Sequence, residues 1–179
     1  MAKKITAIVS LTLVGIIVAA IIIMANITVD HNIDYATPSQ MWVTYNSSTP
    51  RRVDNEEDKE KILSLMDEAT QEKYLNALLT KTLDKKPEIK QNKTTKANIP
   101  STTKYYVIFE FGQPQHLEGI EEDNVYYRQL VFAVAQSEGE VETKVYISED
   151  GDMTYRYYYL ITVDYSEIFN YLTNNGYQG

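Results

Sequence analysis

The groups in this sequence that could do chemistry in pairs are carboxylates. Glu118, Glu121, Glu122 and Asp123 crowd one short stretch, and Glu138, Glu140 and Glu142 another. Glycoside hydrolysis needs two such groups across the scissile bond, one as acid and one as base or nucleophile. Both clusters lie in polar segments between apolar runs, the ordinary setting of a solvated face. Glu149-Asp150-Gly151-Asp152 offers oxygen ligands for calcium, but it lacks the Asp-x-Asp-x-Asp-Gly spacing and the distal glutamate of a calcium loop. It reads instead as a hairpin turn.

Other reaction chemistries find less to work with. The two histidines, His31 and His116, are far apart in sequence, and there is no cysteine. Zinc sites draw three or four ligands largely from those residue types. Nucleophilic catalysis needs a base beside the nucleophile and a group to orient it, and no Gly-x-Ser-x-Gly turn supplies that setting. The glycines are scattered rather than spaced to cradle a phosphate. No catalytic residue, metal or cofactor is expected.

Tyrosine is the feature that exceeds ordinary composition, at 15 residues. Alternation along a strand puts Tyr155, Tyr157 and Tyr159 on one face and Tyr158 on the other, beside Arg156. Tyr105, Tyr106, Tyr126, Tyr127 and Tyr146 add aromatic area to both faces. One layer of helices covers one face of a sheet, which leaves an aromatic surface of the kind enriched in protein interfaces. Tyr155, Arg156, Tyr157, Tyr158 and Tyr159 are therefore the candidate interaction surface.

The elements that would position these residues can be read from periodicity. Residues 41–45 (MWVTY) form a short strand, with Trp42 either core or an anchor near a membrane. A helix begins at a capping box, Asp54 as N-cap with Glu57 three residues on, and buries Ile62, Leu65, Met66 and Ala69. Near Thr70 the register slips, and Leu75, Leu78, Leu79 and Leu83 define a second buried stripe. Residues 85–103 read as a solvated loop. From Lys104 the period becomes two. Tyr105, Val107, Phe109 and Phe111 share a face, and the nearly continuous apolar run 126–135 reads as a central strand. Residues 142–148 and 153–163 flank the Asp-Gly turn as a hairpin. A short helix starts at Asp164 and stops at Gly176. These elements predict an α+β fold in two layers, with one or two helices on a four- to five-stranded, mainly antiparallel sheet and a short C-terminal helix.

Residues 5–25 carry no charge and follow Lys3 and Lys4. As a helix they reach about 30 Å, the thickness of a bilayer's hydrocarbon core. A cleavable leader would have a shorter apolar run and a small-x-small exit, whereas Ile23-Met24-Ala25 ends this one. The segment reads as an uncleaved transmembrane signal-anchor. Its flanking lysines place residues 1–4 in the cytoplasm, residues 26–40 outside as a tether, and residues 41–179 as the extracytoplasmic domain. Gly15 and Ala19 form a small-xxx-small pair suited to packing between membrane helices.

The chain carries a net charge of −8, and −10 without Lys3 and Lys4. Such an acidic surface disfavours nucleic acid as a partner. The expected partners are the membrane, through residues 5–25, and a protein at its outer face. Three functional readings follow. The first is a membrane-anchored, non-enzymatic interaction domain serving a membrane-associated assembly. The second is an extracellular small-molecule or peptide-binding domain. The third and weakest is a hydrolase using the loop carboxylates.

Overall fold

The computed structural model describes residues 2–46, 48–73, 77–79, 83, 86–92, 103–118, 120, 125–136, 139–150 and 154–178, with the side chains of the first helix from Thr12 onward. In chain order the main elements are α1 (Ala2–Asn26), β1 (Thr28–Asp30), β2 (Gln40–Tyr45), β3 (Arg51–Arg52), α2 (Glu56–Thr70), β4 (Gln71–Lys73), β5 (Lys90–Gln91), β6 (Thr103–His116), β7 (Tyr126–Ala135), β8 (Val141–Ser148), β9 (Tyr157–Val163) and α3 (Ser166–Asn174). They fall into two compact units. One joins Met1–His31 to Gln71–Lys85, and the other joins Asn32–Thr70 to Lys86–Gly179.

The first unit holds α1 and a small two-stranded ladder. β1 pairs antiparallel with β4, Thr28 opposite Lys73 and Val29 opposite Glu72. His31 Nε2 lies 2.7 Å from Glu72 Oε2, closing the ladder with a side-chain contact. The expected transmembrane helix over residues 5–25 is corrected by the structure. Among the described residues no helix is long and apolar enough to cross a membrane. Among the described residues, a Cβ added at Gly15 would meet no atom within 4 Å.

The second unit is built on a seven-stranded antiparallel sheet in the order β3-β2-β6-β7-β8-β9-β5. The expected four to five strands are thus corrected to seven. The two additions, β3 and β5, are two-residue edge strands made of Arg51–Arg52 and Lys90–Gln91. They are too short to carry an alternating apolar pattern, and their charge blunts edges that would otherwise invite pairing. β7 is central as expected, with residues 130–134 buried on both faces. The tight Asp-Gly hairpin is also corrected. β8 and β9 last pair at Ile147 opposite Tyr157, so the connection is a longer loop that holds Glu149 and Asp150. Gly151 and Asp152 lie outside the described residues.

On one face of the sheet lies the main core. Tyr105, Val107, Phe109 and Phe111 of β6 meet Tyr127, Leu130, Phe132 and Val134 of β7 there. α2 contributes Ile62, Leu65 and Met66, and α3 contributes Ile168, Phe169 and Leu172. Each such side chain stabilises the fold by roughly 1.5–3 kcal/mol when fully buried. The cap of α2 lies one residue later than its sequence pattern indicates. Asn55 Oδ1, rather than Asp54, accepts from the Glu57 N–H at 3.0 Å, satisfying one of the free donors of the first turn. α3 ends as expected. Gly176 takes φ +75°, and the Tyr177 N–H donates to Leu172 O at 3.0 Å, the six-to-one bond of a Schellman motif.

A polar clasp fastens the chain's end to the start of α2. Both Tyr171 and Tyr177 donate their hydroxyls to Asp58, at 2.6 and 3.1 Å. The Arg51 guanidinium sits 5.1 Å above the Tyr177 ring and donates to Gly176 O at 2.9 Å. Replacing Asp58 by Ala leaves both phenols without their acceptor. Hydrogen bonds to a charged group contribute roughly 1.5–3 kcal/mol each when well buried. At this half-buried site D58A should therefore cost about 2 kcal/mol in urea unfolding, and no loss would refute the clasp.

Alkaline pH tests the buried phenols together. Burial pushes the Tyr127 hydroxyl up to about 12. Burial, followed by the Asp58 hydrogen bond, does the same for Tyr177. An unfolded tyrosine titrates near 10. Because the folded value is the higher one, this stabilisation is fully present below pH about 10 and is lost as pH rises through about 12. The melting temperature should hold up to pH about 10 and then fall. Tyr127→Phe should make that fall shallower.

Candidate functional site

The structure divides the five residues of the aromatic candidate surface between three settings. Tyr157 and Tyr159, 2% and 0% exposed, belong to the main core under the helices. Tyr155 lies before β9 begins, where strand alternation no longer applies, and packs on the opposite face of the sheet. Tyr158 is half-buried on that second face. Arg156 is exposed and pairs with Glu149, Nε to Oε2 at 3.2 Å. Only Arg156 and Tyr158 are therefore open to any extent, because the face that holds Tyr157 and Tyr159 is the one α2 and α3 cover.

The second face is an aromatic and aliphatic layer of its own. Tyr106 and Ile108 of β6, Val131 and Ala133 of β7, Tyr146 of β8 and Tyr155 form a buried cluster, with Trp42 and Tyr158 packed at its margin. The Tyr146 ring lies 5.5 Å from Tyr155 and 6.5 Å from Tyr158. Lys144 Nζ sits 4.4 Å over the Tyr158 ring, an amine–aromatic contact. Trp42 Nε1 donates to Glu110 Oε2 at 3.1 Å. Trp42 is thus neither fully core nor free.

Two phenols of this layer, Tyr106 and Tyr146, lie above their ordinary pKa. Burial, and then the proximity of Tyr146 and Tyr155, pushes the Tyr106 hydroxyl well above its ordinary value. Burial, then Tyr158, raises Tyr146. Among the described residues the Tyr106 hydroxyl is buried with no hydrogen-bond partner. Phenols with raised pKa are poor bases and poor nucleophiles at neutral pH.

The groups considered for catalysis or metal binding are scattered. His31 contacts Glu72 in the first unit. His116 ends β6, exposed, with its ring 5.5 Å edge-on to Tyr126. Glu118, Glu140 and Glu142 are exposed, while Glu121, Glu122, Asp123 and Glu138 lie outside the described residues. Among the described residues no group of three or more His, Cys, Asp or Glu is placed to hold a metal ion.

The Asp58 clasp and the Asn32 contact were not singled out from sequence. Asn32 is buried, and its Oδ1 accepts from the Tyr159 hydroxyl at 2.6 Å and from the Ile33 N–H at 2.9 Å. A lone Asn in a polar lead-in carries no periodic signal that could have flagged it.

Comparison of the chain with protein-family models, with curated proteins and with solved structures finds no match in any of the three.

Two tyrosine-to-phenylalanine changes separate the layers. Y159F removes a donor from a buried carboxamide and should cost about 1–3 kcal/mol. Y106F removes a buried hydroxyl that has no partner among the described residues, and should leave stability unchanged or raise it. Paired chemical denaturation of the two variants checks this, and a larger loss from Y106F would overturn the assignment.

Proposed function

We propose that this protein is a non-enzymatic interaction domain held at a lipid bilayer by α1, a subunit or accessory of a membrane-associated assembly. The observation that carries this reading is the surface of α1. Leu13, Val14, Ile16, Ile17, Val18, Ile21, Ile22 and Ile23 are each between 48% and 63% exposed. At about 100° per residue these positions point all around the helix, so the described turns of α1, residues 12–26, have no polar stripe. A single protein partner covers one stripe, whereas lipid hydrocarbon covers every side. Burying the exposed part of each side chain stabilises by about 1 kcal/mol, a driving force that accumulates along the helix. The reading requires burial of α1 in lipid, not passage across it.

Flotation of the full chain with phosphatidylcholine vesicles tests the reading. The wild type should rise with the vesicles. A variant carrying both Ile17→Asp and Ile21→Asp should stay with the soluble fraction, since an acidic side chain in hydrocarbon costs about 2.5 kcal/mol or more. Equal flotation of the two, or a wild type that stays below, would remove the basis for the proposal.

A further inference from the structure

Of the leucines that the sequence places on a second buried helical stripe, Leu78 and Leu79 are exposed and Leu83 is half-buried. Residues 77–79 are helical, and Leu78 and Leu79 are 48% and 81% exposed. Leu75 lies outside the described residues. Among the described residues, every large apolar side chain with comparable exposure belongs to the first unit, Tyr126 excepted. That unit also differs in charge. It holds Lys3, Lys4, Lys73, Lys81 and Lys85 against Asp30, Glu72 and Asp84, a net charge of +2, within a chain whose total is −8.

The β1–β4 ladder brings these leucines toward one end of α1. Lys73 stands opposite Thr28, two residues beyond the end of α1 at Asn26. Residue 77 follows four positions later, within about 13 Å of that pair even if the chain between is fully extended. Exposed leucines flanked in sequence by Lys73 and Lys81, and joined through the ladder to the end of an apolar helix, match the interfacial zone of a bilayer. Apolar side chains enter there and cations meet anionic headgroups.

We infer that Leu78 and Leu79 form a second membrane contact, seated in the headgroup–acyl boundary of a bilayer that carries anionic lipid. The inference rests on the proposed burial of α1 in lipid. It makes the first unit a two-point membrane module assembled from separate parts of the chain.

The chain has no cysteine, so one introduced thiol reports one position. Full-length L79C and I17C, each labelled with an environment-sensitive fluorophore, are mixed with vesicles of phosphatidylcholine alone or with added phosphatidylglycerol. A T162C label on β9 serves as the water-exposed control. The label at 79 should shift to the blue and gain severalfold in intensity with vesicles, more with phosphatidylglycerol and less at high salt. Shallow nitroxide lipids should quench it more strongly than deep ones. A label at 17 that responds while that at 79 stays water-like overturns this inference and leaves the burial of α1 standing. If neither responds, both fall. A response at 79 that needs no vesicles and grows with protein concentration points to a second copy as occupant and likewise overturns it.

Discussion

A tyrosine buried against a sheet removes its ring from water at a gain, but its hydroxyl then needs a partner inside. In the larger unit that constraint determines how peripheral segments are fastened to the sheet. The Tyr159 hydroxyl reaches Asn32 in the lead-in, and that of Tyr105 meets Thr173 of α3 at 3.1 Å. Tyr171 and Tyr177 converge on Asp58 in the first turn of α2. Each contact joins residues far apart in sequence, so each fixes a long loop as well as a pair of atoms. The acceptor in the clasp sits where the dipole of α2 already favours a carboxylate.

The same constraint marks where the structure departs from it. The hydroxyls of Tyr106 and Tyr165 are buried with no partner among the described residues. Burial alone pushes Tyr165 well above its ordinary pKa. Tyr106 belongs to the second layer, where the Tyr146 ring contacts those of Tyr155 and Tyr158. Each face of the sheet thus holds one such hydroxyl. Under the helices, the phenols of Tyr105, Tyr159, Tyr171 and Tyr177 tie distant segments to one another.

Periodicity within a single element was readable in advance. The α2 stripe of Ile62, Leu65 and Met66 is buried as its spacing indicates, and so are the inward face of β6 and the central run of β7. These follow from local geometry, because a period of 3.6 or 2 puts particular residues on one face whatever lies beyond. Features set by two or three residues were not readable. β3 and β5 have no room for a pattern, and Asn55 and Asp54 are equivalent caps until the chain's approach chooses between them. The grouping of Tyr155 with Tyr157 and Tyr159 failed because the strand starts at Tyr157. Parity carries no meaning outside a strand.

By itself, the sequence determined the α+β class, the main core stripes, the apolar character of α1 and the Gly176 stop, all of which depend on residue type and near neighbours. Only the tertiary structure decided which face of the sheet the helices cover, and hence that Tyr157 and Tyr159 are core while Tyr158 and Arg156 are not. It also decided that Leu78 and Leu79 are left uncovered by the rest of the chain, and that Asp58 gathers the phenols of Tyr171 and Tyr177. The physical reason is common to these cases. Burial and hydrogen-bond partnership depend on which distant segment arrives, and that follows from the pairing of strands and helices across the whole unit rather than from any local window.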